Sequence, residues 1–288
     1  MNTLILGSGF GLYGYLPAVE VVSKKIFLEY KYKNKLQNLK ISKKIFNKIY
    51  WYKNESNIID KINVAVIAYP PILQSKKIKQ LFKNKKLVRY LFLEKPIDKN
   101  PAAARKLIKF LIKNKVKFSF GFIFKYLAWS KLINKKKNLK NIKIIWNIKK
   151  KNASNSWKYK SKFGGGLIRY YGIHFLKLFS ENNFHKILIN DLKKNHWTLQ
   201  IQNSKKTVIT LIIKYSNKDK FLIKTQNKNL ISAPTPIIEN IVSKKIDPRV
   251  KILKRYINQK IRQNGDNYTE SLKFVNFWSK IESSFKVV

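Results

Sequence analysis

The run Gly7-Ser8-Gly9-Phe10-Gly11-Leu12 has a spacing with chemical meaning. A G-x-G-x-x-G turn brings backbone amides against a pyrophosphate, and the N-terminus of the following helix stabilises its charge. In the register that starts at Gly7, the third glycine position holds Leu12. Gly9, Gly11 and Gly14 match the full pattern in a second register. The first is preferred, because Gly7 directly follows the apolar run Asn2–Leu6. Glu29 lies about 20 residues beyond the turn, where an acid can hold a ribose 2′-hydroxyl. That favours NAD over NADP, although Lys31 and Lys33 follow and could accept a 2′-phosphate.

Such a loop needs a buried parallel sheet behind it, and the N-terminal pattern supplies one. Asn2–Leu6 reads as a strand, Leu12–Val22 as a helix, and Lys25–Tyr30 as a second strand. Lys33–Asn54 is basic and aromatic and reads as helix and loop. Ile62–Tyr69 is a nearly continuous apolar run, as expected of a parallel strand buried on both faces. Pro70-Pro71 ends it, and a helix over Leu73–Asn84, a strand over Val88–Leu93 and a helix over Ala102–Asn114 follow. Asn100-Pro101 caps the last of these with Pro at its first position. Alternating strand and helix predict right-handed βαβ units.

After Lys115 the pattern changes. Lys117–Phe124, Asn141–Ile148, Trp197–Ile201, Thr207–Tyr215 and Lys220–Thr225 read as strands, with one helix over Leu167–Ser180 between them. Asp247–Ser283 reads as helical, with a break near Gly265. The expectation is an α/β Rossmann parallel sheet over residues 1–117, then an α+β domain with a mainly antiparallel sheet over 118–288, its C-terminal helix returning to the first domain. Lys/Asn-rich stretches such as Asn134–Lys140 read as solvated loops.

Composition excludes several classes. The 288 residues include no cysteine, which removes disulfides, thiolate metal sites and thiol catalysis. No metal site is expected. No apolar run is long enough to span a membrane, and no leader pattern opens the sequence, so a cytoplasmic protein is expected. The net charge is +48, yet only six of the 62 basic residues are arginine. The lysines are spread along the chain among many Ile and Asn, which is the signature of an AT-rich coding bias. Dedicated nucleic-acid sites cluster their charge and favour Arg. No specific nucleic-acid partner and no membrane partner are expected. The surplus still attracts polyanions at low salt.

Four signatures in order resemble the glucose–fructose oxidoreductase / inositol dehydrogenase (Gfo/Idh/MocA) family. They are GSGFGLYGYLPA at Gly7–Ala18, VIAYPP at Val66–Pro71, LEKP at Leu93–Pro96, and GGGLIRYYGIH at Gly164–His174 preceded by Trp157. The extended first signature is similar to a subgroup of surface-polysaccharide or nucleotide-sugar pathways. The resemblance implies hydride transfer between NAD or NADP and a carbon bearing a secondary alcohol on a sugar, cyclitol or nucleotide sugar. It implies cofactor contacts at Gly7, Gly9, Phe10, Gly11, Leu12, Glu29, Tyr69, Pro70, Glu94 and Lys95, and a homo-oligomer. Lys95 corresponds to the lysine that hydrogen-bonds the reacting oxygen, and His174 to the family histidine. Lys125, Tyr126, Trp157, Lys162 and Arg169 fall in segments expected to meet substrate.

The family aspartate four residues before the histidine is replaced here by Tyr170. Residues at i and i+4 share a helix face, so Tyr170 and His174 are expected together; Arg169 points about a quarter turn away. Two chemistries follow. In the favoured one, His174 exchanges the proton, its ordinary pKa of ~6.5 suiting the task, and Tyr170 positions substrate. In the other, Tyr170 is the acid/base, activated by Lys95. A third reading keeps the fold but loses the chemistry, leaving a dinucleotide- and sugar-binding protein. His185 and His196 receive no role.

Overall fold

The computed structural model describes residues 1–39, 41–83, 88–134, 139–150, 156–225, 228–237 and 247–285. The middle of the Asn134–Lys140 stretch and the end of the helix expected over Leu73–Asn84 lie outside them. Two units result. The first comprises Met1–Asp98, Lys106–Ile123 and Glu239–Tyr268; the second comprises Lys99–Arg105, Phe124–Ile238 and Thr269–Val288.

In the first unit, β1 (Asn2–Leu6), β2 (Lys25–Glu29), β3 (Ile49–Tyr52), β4 (Val64–Ile67), β5 (Tyr90–Leu93) and β6 (Lys117–Phe120) form one parallel sheet in the order β3-β2-β1-β4-β5-β6. Leu4, Ile5, Val66 and Ile67 are fully buried, which is why the central strands read as unbroken apolar runs. Each such side chain contributes about 1.5–3 kcal/mol on burial. Connecting helices are α1 (Leu16–Val19), α2 (Lys33–Gln37), α3 (Lys43–Phe46), α4 (Pro71–Lys83) and α5 (Pro101–Lys113). Asn100 caps α5, its Oδ1 accepting from the Ala103 amide at 2.8 Å.

The second unit holds α6 (Ser130–Asn134) and α7 (Ile173–Glu181) with β7 (Asn141–Lys149), β8 (Phe184–Lys193), β9 (His196–Asn203), β10 (Val208–Ser216), β11 (Lys220–Thr225) and β12 (Lys228–Ala233). Their order is β12-β11-β7-β10-β9-β8, antiparallel except where β7 pairs with β10. One face of the sheet buries Ile144, Trp197, Leu199, Ile201, Leu211 and Ile213, and α7 buries Phe175, Leu176 and Phe179.

The helical C-terminal stretch is two helices, α8 (Arg249–Arg262) in the first unit and α9 (Tyr268–Ser283) in the second. They break at Asn264 and Gly265, both at positive φ. The link between them covers the outer edge of β6: the Asp266 amide donates to Phe118 O at 2.7 Å, and Asp266 Oδ2 accepts from Phe120 N at 2.9 Å. A sheet edge left open would be a template for aggregation.

Four expectations are corrected. The helix-and-loop reading of Lys33–Asn54 misses β3, an edge strand of aromatic residues without a long apolar run. The strand read over Lys117–Phe124 is expected in the second sheet, but its residues Lys117–Phe120 form β6, which pairs in parallel with β5 at the edge of the first. β8 and β12 go unseen because these edge strands bury few side chains, two of ten in β8 and none in β12. The helix over Leu12–Val22 is shorter, a π turn over Gly11–Tyr15 leading into α1.

Helix α7 reaches the sheet through one small residue. A Cβ on Gly172 would lie 2.3 Å from the buried Trp197 ring. Gly172→Ala is therefore expected to destabilise the second unit by about 1–3 kcal/mol. Urea unfolding followed by tryptophan fluorescence checks this.

Candidate active site

The loop after β1 is built by close packing. Gly7 has φ +116°, and a Cβ there would sit 2.4 Å from the Ala68 carbonyl oxygen at the end of β4. Only glycine adopts this backbone without strain. The packing that a third glycine usually provides falls to Gly11, whose added Cβ would meet Ile5 Cγ2 at 3.2 Å. Leu12 is fully buried. Gly9 differs, since an added Cβ there would meet nothing within 4 Å. The helical segment begins at Phe10 with no side-chain cap and no acid in its first turn. Open space at Gly9 beside uncapped helix amides is what a pyrophosphate requires. The residues present thus fit a dinucleotide.

The Phe10 ring is packed edge-on against Tyr13 and Tyr15, each at 5.4 Å, and the Arg249 guanidinium covers it at 4.0 Å. Arg249 comes from α8, so the C-terminal part of the chain buttresses this loop. At the end of β2, Glu29 pairs with Lys31 at 2.5 Å. Lys33 and Lys53 lie over the exposed Tyr30 ring at 5.4 and 5.6 Å. The tip of β2 therefore carries one acid within a basic, aromatic surround.

Two residues that the sequence reasoning missed hold this half together. Tyr32 hydrogen-bonds both Tyr69 and the Gly7 backbone; burial raises its pKa, and burial pushes Tyr69 up to about 12. Gln74, fully buried, donates to the carbonyls of Glu94 at 2.9 Å and Ile97 at 3.1 Å and accepts from the Glu94 amide at 3.1 Å. A polar residue on the buried face of α4 was the available signal. The Pro70 carbonyl accepts the first amides of that helix.

The turn that Gln74 holds is Glu94-Lys95-Pro96. Burial raises the Glu94 carboxyl, against the opposing pull of Lys95, Tyr15 and Arg249. Burial, and then Glu94, raises the Tyr15 phenol well above its ordinary value. A Cβ on Gly121 would fall 2.7 Å from Tyr15 Oη and 2.9 Å from Glu94 Oε1, so both groups meet beneath the end of β6.

In the second unit, Tyr170 lies in a π turn, Leu167–Gly172, that runs into α7 and His174. π turns inside helices are frequent at functional sites. His174 is buried, its ring stacked on Phe124 at 4.2 Å and 6°. The Tyr170 ring meets Trp157 edge-on at 5.4 Å and Tyr171 at 4.8 Å, with Lys158 Nζ over it at 5.5 Å.

Other expected substrate contacts are engaged elsewhere. Arg169 forms a bidentate pair with Glu282 at 2.7 and 2.6 Å and donates to the carbonyls of Lys99 and Ser161. All its nitrogens hydrogen-bond the protein, so it fastens the glycine turn. Lys125 Nζ pairs with Glu181 at 3.5 Å and lies over the Tyr126 ring at 5.5 Å. Lys162 lies over Phe163 at 5.0 Å. Among the described residues no helix is long and apolar enough to cross a membrane.

Residues 1–122 match the family model described as "Oxidoreductase family, NAD-binding Rossmann fold" (GFO_IDH_MocA). No curated protein matches the chain by sequence. The fold is shared with solved structures of low identity. A Clostridium difficile dehydrogenase (MviM) superposes with TM-score 0.70 at 16% identity, covering 99% of each chain. A 3-ketoreductase from Actinomadura kijaniata, in complex with NADP and TDP-benzene, gives 0.69 at 8% identity, covering 99% of this chain and 98% of its own. The Thermus thermophilus WlbA (WbpB) dehydrogenase, in complex with NAD and UDP-GlcNAcA, gives 0.66 at 11%, covering 97% and 94%.

Gly7 and Gly9 separate fold from binding. Gly7→Ala is expected to lower the melting temperature by several degrees and to remove cofactor binding, since strained backbone costs about 1–3 kcal/mol. Gly9→Ala is expected to leave the melting temperature unchanged and to weaken NADH binding by about tenfold or more, because only a bound pyrophosphate would meet its methyl group. Thermal unfolding and fluorescence titration check the two.

Proposed function

We propose that this chain, whose residues 1–122 match the Gfo/Idh/MocA oxidoreductase family model, interconverts a secondary alcohol and a ketone on a sugar or nucleotide sugar. The observation that carries this reading is the Gly9 opening beside uncapped helix amides. The sugar-nucleotide class is supported by the TDP-benzene and UDP-GlcNAcA bound in the ketoreductase and WlbA structures.

NAD or NADP, when bound, donates or accepts the hydride. Gly7, Gly9 and the first amides of the loop helix would hold its pyrophosphate, and Glu29 would hold a ribose hydroxyl, which favours NAD. Tyr69, Pro70 and Glu94 would lie along it. Lys95, on the turn fixed by Gln74, hydrogen-bonds the reacting oxygen and keeps its developing negative charge low. His174 takes the hydroxyl proton on oxidation and returns it on reduction. Its ring orientation comes from the stack on Phe124, so proton exchange does not wait for side-chain reorganisation. Tyr170, with Trp157, presents an aromatic surface to the sugar. Tyr126 belongs to the same proposed substrate-facing set.

The second reading is a protein that binds cofactor and sugar without turnover, favoured by Tyr170 standing where the family has aspartate. Variants Lys95→Ala and His174→Ala decide between them. On the proposed reading each lowers NAD(P)-coupled turnover of a nucleotide sugar by about 10²–10⁴-fold, and His174→Ala leaves cofactor affinity nearly unchanged. Wild-type protein that binds cofactor yet turns over no nucleotide sugar would leave only the binding role.

A further inference from the structure

A cavity of about 590 Å³ lies within the second unit, and neither Tyr170 nor His174 lines it. The volume is that of a small-molecule pocket. One wall is the end of the glycine turn and the first residues of the helix that follows, Gly166 to Arg169. Gly166 occupies the cap position at φ 87°, with no capping side chain and no acid in the first turn. The amides of this helix end are thus left without a side-chain acceptor, in the field of the helix dipole. A second wall is the tip of the hairpin between β8 and β9, which brings Lys193 and Lys194.

Tyr159 and Tyr215 add an aromatic surface. The Tyr215 hydroxyl is buried and has no hydrogen-bond partner among the described residues. A buried hydroxyl without a partner costs free energy that a ligand can recover. The lining also includes a carboxylate, Glu282. Both of its oxygens are taken by Arg169, and Oε1 also accepts from Trp278 Nε1 at 2.8 Å. Its charge is neutralised inside the protein; Lys193 pairs loosely with Asp191 at 3.9 Å on the exposed hairpin, and Lys194 adds a second cation, so the net charge facing the cavity is positive.

We infer that this cavity is an anion pocket for a nucleoside diphosphate. Lys193, Lys194 and the helix amides take the diphosphate, Tyr215 Oη donates to a phosphate or ribose oxygen, and the tyrosine rings lie along the nucleoside. The diphosphate belongs either to the nucleotide arm of a sugar nucleotide or to a free nucleotide. Only the first of these rests on the proposed function, and binding is read without turnover.

The probe is UDP, titrated by calorimetry into the full chain at physiological salt. The inference predicts saturable one-site binding. Lys193→Gln with Lys194→Gln weakens it by about tenfold or more, and Tyr215→Phe by about threefold, as loss of charge-assisted and neutral hydrogen bonds respectively implies. Lys205→Gln with Lys206→Gln removes the same charge at the opposite end of β9 and leaves UDP affinity unchanged. NADH affinity is unchanged in every variant. Equal weakening by both double variants, or no saturable UDP binding, overturns the pocket. Neither result touches the oxidoreductase reading, which fails only if NADH binding or turnover fails. Competition of UDP-glucose with UDP assigns the pocket to a substrate arm; UDP binding that UDP-glucose leaves unaffected assigns it to a free nucleotide.

Discussion

Gly7 must turn the chain in a left-handed conformation directly against the Ala68 carbonyl, and the dinucleotide loop depends on that contact. β1 and β4 are neighbours in register, from Thr3 against Val64 to Leu6 against Ile67. Both are buried on two faces, so the point where the loop leaves the sheet is fixed by the core of the first unit. A loop anchored in this way keeps its amides aimed without spending ligand binding energy on ordering them. The other contacts of this half follow from it. Tyr32 joins Gly7 to Tyr69, Gln74 holds the Glu94-Lys95 turn at the end of the neighbouring strand, and Arg249 covers Phe10.

The second unit orients its groups by the same means. Gly172 lets the helix press on Trp197, and that seating sets the direction of the helix that carries Tyr170 and His174. Phe124 then fixes the His174 ring. The acids are mostly engaged as well. Burial alone would raise the Glu20 carboxyl, but Lys44 and Lys48 bring it below its ordinary value. Asp247 pairs with Arg249, Asp266 with Lys260, and Glu282 with Arg169. With 14 acids against 62 basic residues, such internal pairs leave a surface field that is strongly positive.

Much of the fold was legible in the sequence, because a strand buried on both faces leaves an unbroken apolar run, as in Ile62–Tyr69. What escaped was the material at the edges. β3, β8 and β12 are edge strands with few fully buried side chains, and β6 at its sheet edge carries no long apolar run. At the candidate site, motif spacing pointed to the loop, Lys95, Tyr170 and His174. It could not find Tyr32 or Gln74, since their partners lie 25 and 20 residues away and are joined only by folding. Nor could spacing show that Arg169 is consumed by Glu282, or that Gly11 takes over the packing expected of a glycine at position 12.

The central claim is that the Gly7 loop is a preformed dinucleotide site. Hydrogen–deuterium exchange of the full chain, with and without saturating NADH at physiological salt, tests it most directly. The account predicts protection of the backbone amides over residues 9–16, beside the open face at Gly9. Exchange unchanged there, or protection spread over the lysine-rich surface and lost as salt rises, would contradict it.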